Sequence, residues 1–462
     1  MKKSSRSVEP MRTPSPRKSA EVNSHPISAK ASRSPANAAS IKSVKLFFLF
    51  GILLAMGTLT ARAANPIDAL VQDKRVASAM SWLDKNLDWV TEQQIAITEI
   101  PAPEFHEGPR AAYVAKVLAA CGLDVRTDSV GNVIGERSSG SSGKSKDVVL
   151  VVAHLDTVFP ADTDVRVKRV NGRLQAPGIA DDGAGLAALV AIARAMNETQ
   201  IKAQTKIVFS ADVGEEGEGN LRGIRELMDT YKGNVRAVIA LDGAATDYVT
   251  TIGLASRRLD MQITGPGGHS WSDFGAPNPI TALARGIVQF SRTRVPQEPR
   301  TTFNFGVIDG GNSVNSIPAE ASVKVDLRSE DDAELSRLES ELRKAFGSAI
   351  DEEMAAADPG NEALRLKVTV IGVRPGGKLA ADSPLLTATE NVDRYLGNRS
   401  RLERSSTDAN LPLSQGVPAI AIGAGGQGGG SHSLDEWYDP AGRELGLKRA
   451  MLTLLAIAGA QP

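Results

Sequence analysis

The sequence has little of several features that would point to other classes of protein. It holds one cysteine in 462 residues, so an internal disulfide framework is excluded. Aromatic residues make up only 4% of the chain, which argues against a stacking platform for nucleic acid. There are five histidines in all, so a histidine beside acidic residues is informative. What the chain does have is length and a 42% hydrophobic content, which together predict two domains or one domain with a large insert.

The first 63 residues differ from the rest in composition. Residues 1–45 are rich in Ser, Pro, Lys and Arg without apolar periodicity, so we expect a disordered basic leader. Residues 46–63 contain a short apolar stretch that leads to the small-residue site Ala61-Arg62-Ala63, which predicts a signal peptide or an anchor. We therefore expect an exported protein, periplasmic or secreted, or a membrane-anchored one if the leader is not cleaved.

The charge balance depends on this leader. The whole chain carries 53 Lys and Arg against 54 Asp and Glu, and residues 1–63 hold eleven of the basic and two of the acidic residues. The remainder has 42 basic and 52 acidic residues, a net charge of −10. This negative charge argues against nucleic acid as a partner.

From about residue 66 the chain alternates between helical patterns and short apolar runs. The run DVVLVVAHLDTV is continuously apolar and bounded by polar residues, which is typical of a central strand covered on both faces. TKIVFSADV and RAVIALDG repeat this pattern. The alternation predicts an α/β domain, a mixed sheet with helices on both faces, over residues 66–254 and 378–462.

Residues 255–377 follow a different order. A strand with alternating polar and apolar residues, a helix, two strands, a second helix and a last strand succeed one another. This is the split βαβ pattern of a ferredoxin-like domain. We therefore expect an α+β domain inserted into the larger one.

Acidic residues and histidines cluster where strands of the larger predicted domain end, which is where open α/β sheets build ligand sites. They lie in five segments: His154 and Asp156 in AHLDTV, Asp181 and Asp182 in GIADDGAG, Glu215 and Glu216 in VGEEGEG, Asp242 in ALDGA, and His432 in GGGSHSLDEW. Two imidazoles with several carboxylates suit zinc, cobalt or manganese, without the thiolates of a structural zinc site.

Each of these motifs has an ordinary alternative. An isolated His-Leu-Asp sequence is often only the end of a strand, and GEEGEG alone is typical of an acidic surface loop. Asp182 can cap the helix that follows it, and we leave it out of the ligand set. We interpret His25 and His106 as ordinary loop histidines, and Cys121 as a buried core residue.

Taken together, the motifs resemble the di-zinc peptidase and amidohydrolase family that includes peptidase T, glutamate carboxypeptidase, acetylornithine deacetylase and succinyl-diaminopimelate desuccinylase. The resemblance extends from about residue 70 to the C-terminus, with the motifs in the family's order. Asp242 followed by glycine, together with GEEGEG, resembles the peptidase T-like members most, whereas Gly183 stands where many relatives have Lys. The resemblance implies a zinc-peptidase-type catalytic domain with an inserted lid that also mediates dimerisation.

The resemblance also implies a role for each clustered residue. Glu215 would be the general base that takes a proton from a water activated by two cations. Asp156 would accept the other imidazole N–H of His154 and fix its tautomer. Asp181 would bridge two divalent ions, zinc in the first place and cobalt or manganese as alternatives. The implied metal ligands are His154, Asp181, Glu216, Asp242 and His432.

Three residues of the inserted segment match the family as well. His269, in GPGGHSWSD, would help to polarise the scissile carbonyl, in dimeric members from the neighbouring subunit. Asn315 and Arg328 fall at the family's Asn and Arg positions, and Arg328 would bind a substrate carboxylate. The ordinary alternatives are a loop histidine for His269 and a solvated edge-strand arginine for Arg328.

These implications predict a metallopeptidase that hydrolyses amide bonds in short peptides, of aminopeptidase or di/tripeptidase type, and forms a homodimer through the lid. A deacylase of N-acyl amino acids or a carboxypeptidase of the same family is the alternative. A non-catalytic metal-dependent binding protein is an alternative of another class. Glu215 argues against the last, because a binding protein needs the ligands but gains nothing from a base that faces the water.

Overall fold

The computed structural model describes residues 65–139 and 146–461, so the predictions for the leader lie outside the described residues. Over the described ranges the α-helices are α1 (Pro66–Gln72), α2 (Lys74–Lys85), α3 (Leu87–Thr98), α4 (Gly108–Ala120), α5 (Gly183–Glu198), α6 (Arg222–Thr230), α7 (Pro279–Phe290), α8 (Asp332–Ala356), α9 (Pro384–Leu396), α10 (Asn410–Ser414) and α11 (Arg443–Ala458).

The strands of the same ranges are β1 (Asp124–Thr127), β2 (Val133–Arg137), β3 (Val148–His154), β4 (Lys168–Val170), β5 (Arg173–Gln175), β6 (Lys202–Ala203), β7 (Lys206–Asp212), β8 (Val235–Leu241), β9 (Tyr248–Gly253), β10 (Ala255–Thr264), β11 (Gly268–His269), β12 (Thr301–Gly310), β13 (Ser316–Ile317), β14 (Glu320–Ser329), β15 (Arg365–Arg374), β16 (Gly377–Lys378), β17 (Arg401–Ser405), β18 (Ala419–Ile422), β19 (Gln427–Gly429), β20 (Trp437–Asp439) and β21 (Ala460–Gln461). A short 3₁₀ helix covers Gly217–Gly219.

The larger sheet is mixed and runs in the order β1-β2-β7-β3-β8-β18-β9-β16, with β17 beside β9. Strand β3 pairs in parallel with both β7 and β8, and β18 pairs in parallel with β8. Every residue of β3 is buried, as its continuous apolar run predicts. Because the carboxyl ends of parallel strands meet at one edge of a sheet, the segments after β3, β7 and β8 lie close together there.

The second sheet is antiparallel and runs in the order β12-β14-β10-β15. Along the chain its elements follow as β10, α7, β12, β14, α8 and β15, which confirms the predicted β-α-β-β-α-β order. The residues of β14 alternate in burial, and its apolar side chains join a core with α7 and α8. The opposite face of this sheet is therefore left to polar residues. The domain boundaries at residues 255 and 377 stay a prediction.

Cys121 is buried, as expected, in the core of the larger domain. In the described part of the chain, no helix has both the length and the apolar character needed to cross a bilayer.

Candidate active site and metal centre

The carboxyl edge of the larger sheet brings together the five residues implied as metal ligands. Ligand atoms of His154, Asp181 and Asp242 lie within 4.8 Å of one another, and so do those of Asp181, Glu216 and His432. Asp181 belongs to both groups, as a bridging carboxylate must. The structure thus places the five predicted residues in two groups of three that share Asp181, and a third group joins His154 and Glu216 with Glu215. Their role as ligands stays a prediction.

Each carboxylate oxygen of Asp181 faces a different histidine. Oδ1 lies 3.1 Å from Nε2 of His154, and Oδ2 lies 3.3 Å from Nε2 of His432. The same nitrogen of His432 is 2.8 Å from Oε1 of Glu216. Imidazole nitrogen and carboxylate oxygen are ligands that zinc and related divalent ions prefer, so this donor set fits such ions.

The electrostatics of the cluster show a surplus of negative charge. Burial and the neighbouring Asp181 carboxylate raise the pKa of Asp242 to about 6. Hydrogen bonds to Asp181 and Glu216 raise the pKa of His432 to about 10. In both cases a proton is retained because it offsets crowded carboxylates. A divalent cation would provide the same compensation without a proton.

Asp156 lies at the site but makes a different contact from the expected one. Nδ1 of His154 is 3.0 Å from the backbone carbonyl oxygen of Asp156, and the nearest carboxylate oxygen is 3.9 Å away. That carboxylate accepts the backbone N–H groups of Glu215 and Glu216 at 3.1 and 2.8 Å. The prediction that the His154 ring donates to the Asp156 carboxylate is therefore wrong, because that carboxylate accepts the two backbone N–H groups of the next loop instead. Asp156 instead holds the loop that carries Glu215 and Glu216.

Glu215 has a buried partner that the sequence did not predict. Arg374, the last residue of β15, donates from Nη1 to Oε1 of Glu215 at 2.8 Å and from Nη2 to its backbone carbonyl oxygen. Burial raises the pKa of the Glu215 carboxyl, and the guanidinium of Arg374 opposes that shift. The two residues are 159 positions apart and no short motif contains Arg374, so the sequence offered no signal for this pair.

Glu436 was also missed, and it holds the loop that carries the shared aspartate. Its carboxylate accepts the backbone N–H groups of Gly178, Ala180 and Asp181 at 2.9, 2.8 and 2.9 Å. The side chain is fully buried, and this burial raises its pKa to about 7. Glu436 lies four residues after His432 within GGGSHSLDEW, so an acid near a ligand was the available signal.

Asp182 acts as the predicted helix cap. Its Oδ1 accepts the backbone N–H of Gly185 at 2.9 Å, and its Oδ2 accepts the backbone N–H of His154 at 3.2 Å. A Cβ at Gly185 would lie 2.3 Å from the carbonyl oxygen of Leu241, so only glycine lets α5 begin this close to the end of β8. The close approach sets the position of Asp181, directly before the cap.

A cleft of about 290 Å³ lies over the acidic cluster. The first domain contributes the carboxylates and His432, and the second sheet contributes Arg258, Arg328 and Arg374. Arg328 therefore lines the cleft, which is the position that its predicted role in substrate binding requires. Arg258 and Arg374 were not predicted. The cleft thus combines a cation-binding region with a cluster of guanidinium groups.

The other two predicted lid residues are not among those lining this cleft. His269 is exposed, and its Nδ1 accepts the backbone N–H groups of Trp271 and Ser272 at 3.2 and 3.3 Å. Asn315 is also exposed, on the neighbouring loop, where its side-chain oxygen accepts the hydroxyl of Ser313 at 2.5 Å. Within one chain, neither residue contacts the acidic cluster.

Two groups of ligand atoms with a shared carboxylate, and a buried glutamate beside them under a second domain, are the hallmarks of a metal-dependent hydrolase. Comparison with known proteins names the family. The chain belongs to peptidase family M20/M25/M40, whose model matches residues 150–456. This membership confirms the resemblance inferred from the motifs, and it makes the protein a hydrolase of peptide or other amide bonds.

Individual relatives support the same family and fold. The uncharacterised protein YqjE of Bacillus subtilis is 24% identical over 347 residues, which cover 72% of this chain and 89% of YqjE. Acetylornithine deacetylase of Myxococcus xanthus is 27% identical over 301 residues, covering 62% and 74%. The structure of the di-peptidase Dug1p from Saccharomyces cerevisiae has a TM-score of 0.67 at 16% identity, covering 83% of this chain and 98% of that one. The predicted fold class is thereby confirmed.

Proposed function

We propose that the protein hydrolyses amide bonds in short peptide-like substrates with two divalent ions held by the five clustered residues. The observation that carries this proposal is the sharing of Asp181 between the group of His154 and Asp242 and the group of Glu216 and His432. Zinc is the ion we expect, and cobalt or manganese suit the same donors. Ions held there would polarise the scissile carbonyl and lower the pKa of the attacking water toward roughly 7.

Glu215 is the general base of this proposal. Asp156 fixes its backbone, and Arg374 binds its Oε1. No hydrogen bond within the described residues engages Oε2, so this oxygen remains available for a proton. Glu215 takes the proton of the attacking water and delivers it to the leaving amine nitrogen. Its buried position keeps that proton from exchanging with bulk water during the transfer.

We also propose a homodimer in which His269 of one chain reaches the cleft of the other. Its support is the exposure of His269 together with two large apolar neighbours, Trp271 and Phe274, which are 86% and 85% exposed. Exposed apolar side chains of this size mark interaction surfaces. Sedimentation velocity tests the assembly. A monomer with full activity would contradict a role for His269 in trans.

The alternatives differ in the part of the substrate that is recognised. An aminopeptidase or a di/tripeptidase must accept a free α-amino group, whereas a carboxypeptidase or a deacylase recognises a carboxylate. The di-peptidase Dug1p and the acetylornithine deacetylase show that proteins similar to this chain include both kinds.

Export of the protein stays a proposal that rests on the composition of its leader, and N-terminal sequencing of the protein from cells tests it.

The test of the function is an assay of the purified protein, stripped by a chelator and then reloaded with zinc, cobalt or manganese. Its substrates are unblocked di- and tripeptides together with N-acetylated and N-succinylated amino acids, with release of free amino acid as the readout. We expect turnover only after a divalent ion is restored. Full metal binding without turnover of any substrate would instead favour a binding protein.

A further inference from the structure

The loop that carries Glu215 and Glu216 ends in a strained turn. The backbone N–H of Leu221 donates to the carbonyl oxygen of Gly214 at 2.7 Å, so the segment between them is closed into a loop. Asn220 and Leu221 both adopt the left-handed backbone conformation, with φ of 54° and 58°. This conformation is rare for a residue as bulky as leucine, and it persists only where surrounding contacts hold it. The strain therefore directs attention to what this turn contacts.

The side chains of Asn220 and Arg225 hold one residue of the second domain. Oδ1 of Asn220 accepts the backbone N–H of Val373 at 2.9 Å. Nη2 of Arg225 donates to the backbone carbonyl oxygen of Val373 at 2.6 Å, and its Nε donates to the backbone carbonyl oxygen of Asn220 at 2.9 Å. Both backbone groups of Val373 are thus bound by the larger domain. These contacts of Asn220 and Arg225 form the Val373 clamp.

The clamp acts on an edge strand. Within the described residues, β15 ends the order of the second sheet, so one row of its backbone groups has no neighbouring strand to bind. The side chain of Val373 is 43% exposed, so it does not anchor the strand through the core. The larger domain therefore supplies, at a single residue, the two hydrogen bonds that a further strand would supply.

Strand β15 changes register with β10 just before the clamp. Val370 lies opposite Leu259 and Gly372 opposite Arg258, which leaves one extra residue between the two pairs. The shift turns Arg374 to the face of the sheet that lines the cleft. Because a bulge disrupts the ladder locally, contacts outside the sheet help to fix the end of this strand.

The chain of contacts returns to the loop at Glu215. Arg374 directly follows the clamped Val373, and its Nη1 donates to Oε1 of Glu215 at 2.8 Å. A displacement of Val373 would move Arg374 with it and release this carboxylate oxygen. Geometry matters here, because a misplacement of about 1 Å in a catalytic group can cost on the order of 100-fold in rate.

We propose that Asn220 and Arg225 are positioning residues for Glu215. They bind both backbone groups of Val373 and so hold Arg374 against Oε1 of Glu215. That contact fixes the carboxylate in one orientation and leaves Oε2 for the proton of the attacking water. This inference deepens the proposed amide hydrolysis and rests on it, because Glu215 is the general base only in that reaction.

Two substitutions of Asn220 separate the hydrogen bond from the backbone conformation. Asn220→Gly removes the acceptor for Val373, while glycine adopts a positive φ without strain. Asn220→Asp keeps an acceptor and tolerates the same conformation. The zinc-loaded variants are assayed with the best substrate of the panel that tests the function. We expect kcat to fall about three- to tenfold in Asn220→Gly, the kinetic equivalent of one hydrogen bond, with metal content unchanged. Asn220→Asp should stay within about twofold of the wild type.

Removal of the whole clamp has a larger effect. In Asn220→Gly/Arg225→Gln, which loses the neutral and the charged contact together, we expect kcat to fall about 10- to 100-fold. Lys324→Gln is the matched control. It removes another contact between the second domain and the same loop, the ion pair of Lys324 with Glu218, without touching Val373. Its kcat should equal that of the wild type.

A double variant shows whether the clamp acts through Arg374. In the Arg374→Met background the clamp has no guanidinium left to position, so adding Asn220→Gly should change kcat by less than about twofold. Losses that multiply in the double variant would contradict this route. The proposal would also be overturned by an unaltered kcat in Asn220→Gly, or by an equal loss in Asn220→Asp or Lys324→Gln. No turnover of any substrate by a wild-type protein that holds its metal would overturn the proposed function instead.

Discussion

The two sheets supply their parts of the cleft in different ways. In the larger sheet, acidic side chains come from the segments that directly follow β3, β7 and β8, so each lies in a short motif after an apolar run. In the second sheet, Arg258, Arg328 and Arg374 project from the face of antiparallel strands, and only Arg328 was predicted, from its match to a family position. Residues that act from strand ends are therefore easier to identify in a sequence than residues that act from a sheet face, where Arg258 and Arg374 were missed.

The burial of the strands explains why the two sheets can differ. Strand β3 is buried at every position, so it can present functional groups only at its end. Strand β14 alternates, with apolar side chains turned to the helices and polar ones to the other face. A sheet that packs helices on one face only keeps the other free to line a binding site.

Among substitutions in the larger domain, we expect Asp181→Asn to reduce metal binding and turnover most. Because both groups of ligand atoms include Asp181, we expect the variant to lose both ions and all measurable turnover. His432→Ala removes a member of one group only, so it should retain about one ion per chain. Metal analysis after dialysis distinguishes the two variants. Equal metal content in both would contradict a shared carboxylate.

Glu215→Gln distinguishes a role in proton transfer from a role in metal binding at the carboxyl edge of the larger sheet. We expect kcat to fall by about 10²- to 10⁴-fold, the usual contribution of a general base, with metal content unchanged. Glutamine keeps an oxygen that can accept from Arg374, so the fold should be retained. Glu403→Gln, an acid of the same cleft outside the metal groups, serves as the control. An unaltered kcat in Glu215→Gln would exclude the assigned role.

Arg374→Met removes the ion pair that Arg374 of the second sheet forms with Glu215 of the larger domain. It leaves the buried Glu215 without its ion partner, so we expect the free energy of unfolding to fall by about 3–5 kcal/mol. The double variant Arg374→Met/Glu215→Gln should be more stable than Arg374→Met, because the uncompensated charge is gone. Urea denaturation measures all three proteins. If the double variant were the least stable, the pair would not be coupled in this way.

Arg257→Gln tests whether the two faces of the second sheet differ in function. Arg257 pairs with Glu339 at the partly exposed edge of the helix layer, so we expect a loss of less than about 1 kcal/mol in stability. Its kinetic constants should match those of the wild type. A tenfold or larger change in KM would mean that the two faces are not functionally distinct.

Much of the fold could be predicted from the sequence. The continuous apolar runs identified the buried strands of the larger sheet, and the alternating strands with two helices identified the second domain. The five residues of the metal groups were proposed because each lies in a short motif. His154, Glu216 and Asp242 lie at or just after the ends of β3, β7 and β8, whereas Asp181 precedes the cap of α5 and His432 follows β19. Local periodicity and short motifs carry this information, while the role of the five residues as metal ligands and the domain boundaries stay predictions.

The contacts that were missed depend on packing between distant segments. Arg374 meets Glu215 only when the second domain lies against the first. Strict alternation along β15 would place Arg374 on the helix-facing side with Val368 and Val370, but a register shift opposite Arg258 and Leu259 turns it to the other face. Asp156 had two competing sets of donors, the ring of His154 and two backbone N–H groups. The course of the following loop decides between them, and a sequence pattern does not specify that course.

The carboxylate of Glu436 limits how this region tolerates insertions. The segment from His432 to Glu436 provides one ligand atom and, four residues later, the three contacts that shape the loop before Asp181. An extra residue between them would displace either the histidine or the carboxylate. Since Asp181 belongs to both groups, a change of length in this one segment would damage both proposed cation positions at once.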